Sequence, residues 1–193
     1  GKRMTKKRMI GLAAALAAGF VLTACGGTAP KLKADTPVEK EFQEVSVHDP
    51  AIVEGEDGEY YIFGSHLAVA KTDDLMNWTY VNQGVKDDNP IIPDVYKVMK
   101  DAFEWSHSNT FWAPDVVRSR NGKYLMYYCN CQGDTPVSCL GLAVSDQVEG
   151  PYENQGLLLK SGMGADELDE DGNLYQATVD PNTGDPNVLY DKD

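Results

Sequence analysis

The sequence predicts an all-β protein assembled from repeated four-stranded antiparallel sheets, the unit from which β-propellers are built. Two observations predict this fold. Short β-branched runs are joined to Tyr-rich runs by Asp-Gly or Asn-Gly turns, which is typical of β-hairpins. The hairpin pattern also recurs along the 193 residues, twice in full and a third time at its start. Since propellers close with about four to eight sheets, we expect the full protein to extend beyond the chain given.

The repeat is visible when three segments centred on proline are aligned. Copy one begins at Asp49-Pro50 and turns at Asp57-Gly58. Copy two begins at Ala113-Pro114 and turns at Asn121-Gly122, so the turn glycine lies eight residues after the proline in both copies. Asp185-Pro186 opens copy three in the same register. Self-similarity of this kind indicates a repeat architecture.

Further strands and a helix complete the predicted pattern. Residues 68–75 match residues 141–148 and predict a third strand in each copy, while residues 78–81 and a segment from Tyr152 onward predict a fourth. The largest insertion, residues 83–111, has apolar residues at helical spacing, namely Val98, Met99, Ala102 and Phe103. We expect a short helix that packs against a sheet or forms one wall of a substrate groove.

The N-terminal residues carry the zones of a bacterial export signal. A positive segment, Lys2 to Arg8, precedes an uncharged segment, Met9 to Leu22, that is too short to span a bilayer as a helix. Leu22-Thr23-Ala24-Cys25 resembles a lipobox, in which the cysteine is lipidated after cleavage. The alternative is an ordinary secretory signal with an incidental Cys25. The resemblance implies an exported protein, anchored by lipid to the bacterial cell surface or outer membrane.

These features predict three regions. Residues 1–24 are expected to be the lipoprotein signal peptide, residues 25–40 the lipidated cysteine and its tether, and residues 41–193 part of the propeller domain. The leader holds five of the 17 Lys and Arg and none of the 30 Asp and Glu, so the remaining chain has a formal charge of −18. Such an acidic chain argues against nucleic acid as a partner, because phosphate binding needs clustered cations. A neutral sugar remains compatible with this negative charge.

Three cysteines follow Cys25 in the chain: Cys129, Cys131 and Cys139. Their spacing is a weak metal-binding pattern, and no histidines lie nearby. Buried thiols, or one disulfide between Cys131 and Cys139, are favoured over a metal site. We therefore assign no metal ligands.

Two carboxylates occupy equivalent positions in the repeat. Asp49 and Asp185 stand at the start of the innermost strand of copies one and three, where copy two has Ala113. Inner strands of a propeller line its central channel, so these residues are expected to converge near the axis. Two carboxylates brought together suggest acid/base chemistry, since like charges and a partly closed pocket push pKa values apart. The alternative is that each Asp-Pro merely starts a strand.

Segments spread from His48 to the C-terminal residues resemble glycoside hydrolase family 43. They are His48–Val53, Tyr60–Ser65, Asp74–Trp78, Phe111–Val116 and Asp185–Val188. The family consists of five-bladed propellers acting on α-L-arabinofuranosides and β-D-xylosides, and the resemblance is greatest to its endo-α-1,5-L-arabinanases. It implies plant cell-wall arabinan as the substrate. The alternatives are a β-xylosidase or α-L-arabinofuranosidase of the same family, and a propeller lipoprotein that binds polysaccharide without catalysis.

The resemblance also implies roles for the two carboxylates. Asp49 would act as general base on a water molecule, while Asp185 would raise the pKa of a glutamic acid and orient it toward the leaving oxygen. A base that activates water inverts the configuration, with the two catalytic carboxyl groups roughly 6.5–9.5 Å apart. Asp180 is a second candidate for the modulator, but only Asp185 is in register with the other copies.

The general acid has no match in the chain. Glu149-Gly150-Pro151 is superficially similar to the family's motif, but the register places it after the third strand of copy two, toward the rim. We therefore expect the acid beyond Asp193, in an Arg-x-Glu-Gly-Pro setting, and expect the chain alone to be inactive. No cofactor is required for this chemistry. The family often holds a metal ion, commonly calcium, near the channel, and its ligands are not assignable from these residues.

Candidate substrate-binding residues surround the start of copy two. Trp112 and Phe111 can stack on a furanose ring or pack in the core. Asp115 can bind a sugar hydroxyl or a loop. Trp105 and His107 lie on the insertion, where a surface role and a role in the groove both stay open, and His48 is positioned to support Asp49. The predicted site residues are Asp49 and Asp185 for catalysis, Phe111, Trp112 and Asp115 for substrate binding, and Cys25 for lipidation.

Overall fold

The computed structural model describes residues 42–132, 137–161, 168, 172–174 and 183–191. In this part of the chain, strands form two four-stranded antiparallel sheets, each with its strands in chain order. The first sheet contains β1 Ala51–Glu54, β2 Tyr60–Gly64, β3 Ala68–Thr72 and β4 Thr79–Asn82. The second contains β5 Phe111–Arg118, β6 Tyr124–Cys131, β7 Ser138–Ser145 and β8 Glu153–Lys160. The prediction of repeated four-stranded antiparallel sheets is confirmed.

The register of each first hairpin follows from its turn. Glu54 pairs with Tyr60 across the Asp57-Gly58 turn, and Arg118 pairs with Tyr124 across the Asn121-Gly122 turn. The two turn glycines have φ values of 82° and 85°. A glycine adopts this left-handed conformation without steric cost, which is why the two copies share the same turn chemistry.

The insertion between the two sheets forms two short helices, α1 Val95–Val98 and α2 Lys100–Ser106. They meet at Met99, whose φ of −103° interrupts the helical path. Helix α2 packs against β6, β7 and β8, so the prediction of a short helix packed on a sheet is confirmed. The Asn154 amide adds a hydrogen bond of 2.9 Å to the carbonyl of Val98.

An aromatic core joins the first sheet, the insertion and the second sheet. Phe63 of β2 makes an edge contact with Tyr152, at 6.1 Å between ring centroids. Phe111 of β5 lies between Phe103 of the insertion and Tyr128 of β6, with both centroid distances at 5.7 Å. Burying an aromatic or aliphatic side chain of this size contributes about 1.5–3 kcal/mol. The core therefore holds the two sheets in one compact unit.

A polar network also connects the first sheet to the loop after β7. The buried Tyr61 hydroxyl lies 2.8 Å from an Asp57 oxygen and 3.0 Å from a Glu149 oxygen. Burial, reinforced by these two carboxylates, holds the pKa of Tyr61 well above its usual value near 10. The Lys71 ammonium lies 2.9 Å from Glu149 and 3.3 Å from Glu59, and the bond to Glu149 raises the pKa of Lys71.

The start of copy three is held by side chains of the second sheet. The Thr183 N–H donates to the Ser138 hydroxyl at 2.8 Å, and the Val188 N–H donates to the Asp115 carboxylate at 2.7 Å. Residues 183–191 carry no assigned strand. A strand needs a ladder partner, and the repeat register predicts that partner after Asp193, so a strand in copy three stays a prediction.

Several sequence predictions lie outside the described residues. They include the signal peptide 1–24, Cys25 with the whole tether to residue 40, and Asp180. Among the residues that the structure does describe, no helix combines the length and apolar character needed to cross a membrane.

Gly64 marks a point where two chain segments come too close for a side chain. A Cβ added there would overlap the Val47 side chain and the carbonyl oxygen of His48. The neighbouring Ser65 N–H donates a 2.9 Å hydrogen bond to that same carbonyl. The end of β2 is thus pressed against the residue preceding Asp49.

We expect Gly64→Ala in the full-length protein to lower its free energy of unfolding by about 1–3 kcal/mol, the usual cost of overpacking. The added methyl group must push the backbone at His48 away. Thermal unfolding measures this effect. Gly184→Ala is the matched control, because its Cβ would meet no atom of the described residues within 4 Å. Equal melting temperatures for the two variants would contradict the expectation.

Candidate active site

An open cavity of about 580 Å³ lies where the three copies of the repeat meet. Its walls come from residues 49–52 of copy one, residues 113–115 of copy two and residues 185–187 of copy three. Asp49 and Asp185, which sequence reasoning placed at equivalent positions, therefore line one cavity. A second cavity of about 620 Å³, near Asp146, takes its lining from β7, β8 and the adjoining loops of the second sheet. Of these two cavities in the described part of the chain, the first gathers residues from separate copies.

The same backbone turn opens all three copies. Asp49, Ala113 and Asp185 have φ values of 50°, 24° and 47°, and each precedes a proline. Left-handed conformations cost about 1–3 kcal/mol in residues other than glycine, with aspartate among the most tolerant. The three residues are thus held in matching strained conformations by their surroundings, and this turn directs them to the cavity.

The Asp49 carboxylate is held on one side. His48 Nδ1 lies 2.8 Å from Asp49 Oδ2, and the Ser65 hydroxyl donates to the same oxygen at 3.3 Å. The Asp49 side chain remains 47% exposed. The predicted support of Asp49 by His48 thus corresponds to a direct contact between the two side chains. Ser65 was not among the predicted site residues, although it ends the Tyr60–Ser65 segment that resembles the family.

Asp185 lines the same cavity and is exposed to solvent, and its backbone contacts the sulfur of Cys129. That thiol also donates to the Trp112 carbonyl at 3.1 Å. Burial raises the pKa of Cys129 to about 11 and that of Cys139 to about 12. Both groups are therefore neutral thiols at physiological pH.

The cysteines at the ends of β6 and β7 are not bridged. Cys129, Cys131 and Cys139 are all free thiols. Cys131 pairs with Ser138 and Asn130 pairs with Cys139. Since directly opposed residues share one face of a sheet and successive residues alternate, Cys131 and Cys139 point to opposite faces. The disulfide alternative is therefore wrong for this structure, and the alternative of separate thiols describes it.

Asp115 lines the cavity but its carboxylate is engaged by the protein itself. Its Oδ2 atom accepts the Val188 N–H at 2.7 Å. Of the two alternatives that the sequence left open, the structure shows contact with a loop. Because Val188 follows Asp185 by three residues, this bond ties the segment that carries Asp185 to the second sheet.

The two aromatic residues at the start of β5 differ in role. Phe111 is completely buried in the aromatic core, so the prediction that it stacks on a sugar ring is wrong and the packing alternative holds. Trp112 is half-buried, donates to the Cys131 carbonyl at 3.2 Å and lies 5.3 Å from the His66 ring. Adjacent residues of a strand face opposite sides, which separates the two rings. Sugar stacking by Trp112 stays a prediction.

The remaining candidates lie away from the cavity walls. Trp105 donates to the Ser138 carbonyl at 2.9 Å, and the Lys160 ammonium lies 4.4 Å from its ring centroid. His107 is exposed at the end of α2. Glu149 belongs to the Lys71 and Tyr61 network rather than to this cavity. Across the described ranges, no group of three or more His, Cys, Asp or Glu is arranged to hold a metal ion.

Comparison with known proteins gives close relatives over most of the chain. A 152-residue stretch is 53% identical to the extracellular endo-alpha-(1->5)-L-arabinanase 2 of Bacillus subtilis, covering 79% of this chain and 32% of that protein. The extracellular endo-alpha-(1->5)-L-arabinanase of Thermotoga petrophila is 43% identical over 155 residues, or 79% and 33% of the two chains. The chain thus spans about a third of the length of these relatives.

The fold agrees with a solved structure of the same group. The crystal structure of a family 43 glycoside hydrolase from Bacillus licheniformis superposes with a TM-score of 0.70 at 54% identity, covering 79% of this chain and 34% of that one. Residues 39–190 match the family described as Glycosyl hydrolases family 43. With the cavity and its paired aspartates in place, this match shows that the chain belongs to glycoside hydrolase family 43.

Proposed function

We propose that the full-length protein hydrolyses α-1,5-linked L-arabinan with inversion of configuration. The observation that carries the proposal is the single cavity lined by Asp49 and Asp185 from separate copies of the repeat. The relatives named endo-arabinanases support the choice of polymer and of an internal cut. The full fold is a five-bladed propeller, of which these residues supply the first two blades and the start of the third.

In the proposed reaction Asp49 is the general base. Its carboxylate takes a proton from a water molecule as that water attacks the anomeric carbon, and the glycosidic bond breaks on the other face of the sugar. Asp185 raises the pKa of a glutamic acid encoded beyond Asp193 and orients it, and this acid protonates the leaving oxygen. The reaction uses carboxyl groups and water and needs no cofactor. Any calcium ion near the channel would be structural, and we assign it no ligands.

We further propose that the protein is exported and anchored by lipid. Residues 1–24 would be removed as a lipoprotein signal peptide. Residues 25–40 would then tether the propeller domain, which begins at residue 41, to the cell surface or outer membrane. The extracellular relatives support export. Trp112 is the proposed sugar-stacking residue: it directly precedes Ala113 of the cavity wall, and its ring lies 5.3 Å from the His66 ring.

Replacing the proposed base tests the mechanism. In the full-length protein, Asp49→Ala is expected to lower kcat on linear arabinan by about 10²–10⁴-fold, the usual contribution of a general base. Azide needs no base, so it should restore turnover of an activated aryl arabino-oligosaccharide. Asp73→Ala, at an exposed position outside the cavity, is the control and should behave like the unaltered protein. Normal hydrolysis by Asp49→Ala would show that the mechanism is wrong.

The stereochemistry of the first product tests inversion separately. Because water attacks opposite the leaving oxygen, an α-linked arabinan should release new reducing ends in the β configuration. Proton NMR at early times, before mutarotation, distinguishes the two anomers. Reducing ends that appear first in the α configuration would mean that a carboxylate attacks the sugar, and Asp49 would then not be a general base.

Lipid labelling tests the proposed anchor. Cells grown with an alkyne-labelled fatty acid should incorporate the label into the full-length protein and retain it in the membrane fraction. Cys25→Ser should abolish the label, because the lipid is attached through that thiol. Cys131→Ser is the matched control and should keep it. A labelled Cys25→Ser variant, or an unlabelled protein with Cys25 intact, would contradict the anchor.

A further inference from the structure

Ser65 occupies a junction between the first two copies of the repeat. It follows Gly64 at the end of β2, and only 1% of its surface is exposed. Its backbone N–H donates to the His48 carbonyl at 2.9 Å. Its hydroxyl meets the Asp49 carboxylate on one side and the Ala113 N–H on the other. A single small side chain thus contacts the start of both inner strands.

The direction of the hydroxyl proton follows from these contacts. A serine hydroxyl has one proton to donate and two lone pairs that accept. The Ala113 N–H can only donate, and it occupies a lone pair of Ser65 Oγ at 3.0 Å. The Asp49 carboxylate can accept, at 3.3 Å. The proton of Ser65 therefore points to Asp49, and the donated bond gains strength from the charge of the carboxylate.

Both neighbours of the Asp49 carboxylate use the same oxygen. His48 and Ser65 each contact Oδ2, and among the described residues these are the contacts to that side chain. Asp49 itself lines the cavity. With Oδ2 engaged by His48 and Ser65, Oδ1 is the oxygen that these two contacts leave able to accept a proton. The Ser65 distance of 3.3 Å exceeds the roughly 2.7 Å of the best hydroxyl bonds, and hydrogen bonds of unliganded active sites commonly shorten when substrate binds.

The alanine in copy two fits this arrangement. At position 113 the contact with Ser65 is made by the backbone N–H and not by a side chain. An aspartate in its place would put a third carboxylate on the wall shared by Asp49 and Asp185. Like charges in such a space disfavour ionisation, which would work against the base.

We infer that Ser65 is a positioning residue for Asp49. The Ala113 N–H of copy two orients the Ser65 hydroxyl, and this hydroxyl in turn orients the Asp49 carboxylate. The contact fixes which oxygen of Asp49 receives the proton. This inference rests on the proposed function. Ser65 is only 1% exposed and acts through Asp49, so its effect is expected on the rate of the chemical step. Loss of orientation in the reacting groups lowers turnover while leaving substrate binding in place.

The test measures kcat and KM on linear arabinan for variants of the full-length protein. Ser65→Ala removes one oxygen atom and is expected to lower kcat about tenfold with KM changed less than about twofold. Ser65→Thr keeps the hydroxyl and should recover most of the lost turnover. Ser106→Ala is the matched control, because Ser106 is equally buried and its hydroxyl bonds only helix α2 and the adjoining loop.

The outcomes separate the inference from the proposed function. Full kcat in Ser65→Ala alongside an inactive Asp49→Ala would overturn the positioning role alone. An equal loss of kcat in Ser106→Ala, or in Ser65→Thr, would also overturn it, since burial or volume rather than the hydroxyl would then matter. If the unaltered protein does not cleave arabinan, or if Asp49→Ala cleaves it normally, the proposed function itself fails.

Discussion

The left-handed turn before each inner proline is the constraint on which the site depends. A proline disfavours the right-handed helical conformation of the residue before it. The left-handed alternative is costly for any residue but glycine. Asp49, Ala113 and Asp185 nevertheless all adopt it. Each is held there by contacts that the strand alone does not supply, and the shared turn is what points three separate chain segments at one cavity.

The second sheet supports this arrangement although it has Ala113 where the other two copies have an aspartate. The Ala113 N–H contacts the Ser65 hydroxyl on the first sheet, and the Asp115 carboxylate holds the segment that follows Asp185. The middle copy of the repeat therefore holds the copies on either side of it. The aromatic contacts around Phe111 pack this copy against the insertion. Copies that share the same turn thus differ in which of their atoms make the contacts around the cavity.

Local patterns in the sequence predicted the sheets, because a hairpin depends on residues within about a dozen positions of each other. The convergence of Asp49 and Asp185 followed from the repeat register alone. The role of Ser65 did not, since its bond to Ala113 spans 48 positions in the chain. Phe111 and Trp112 were indistinguishable in sequence because nothing local tells which face of β5 meets the core. The sequence also left open whether Asp115 binds a sugar hydroxyl or a loop, because its partner, the Val188 N–H, lies 73 positions away in the chain.

The three unbridged thiols bear on how the folded chain tolerates oxidation. Only a deprotonated sulfur attacks a disulfide or is readily oxidised. With its pKa raised to about 11, Cys129 is in that form in roughly one molecule in ten thousand at neutral pH. Once the protein is folded, burial therefore makes Cys129 and Cys139 poor nucleophiles and protects them from exchange with other thiols.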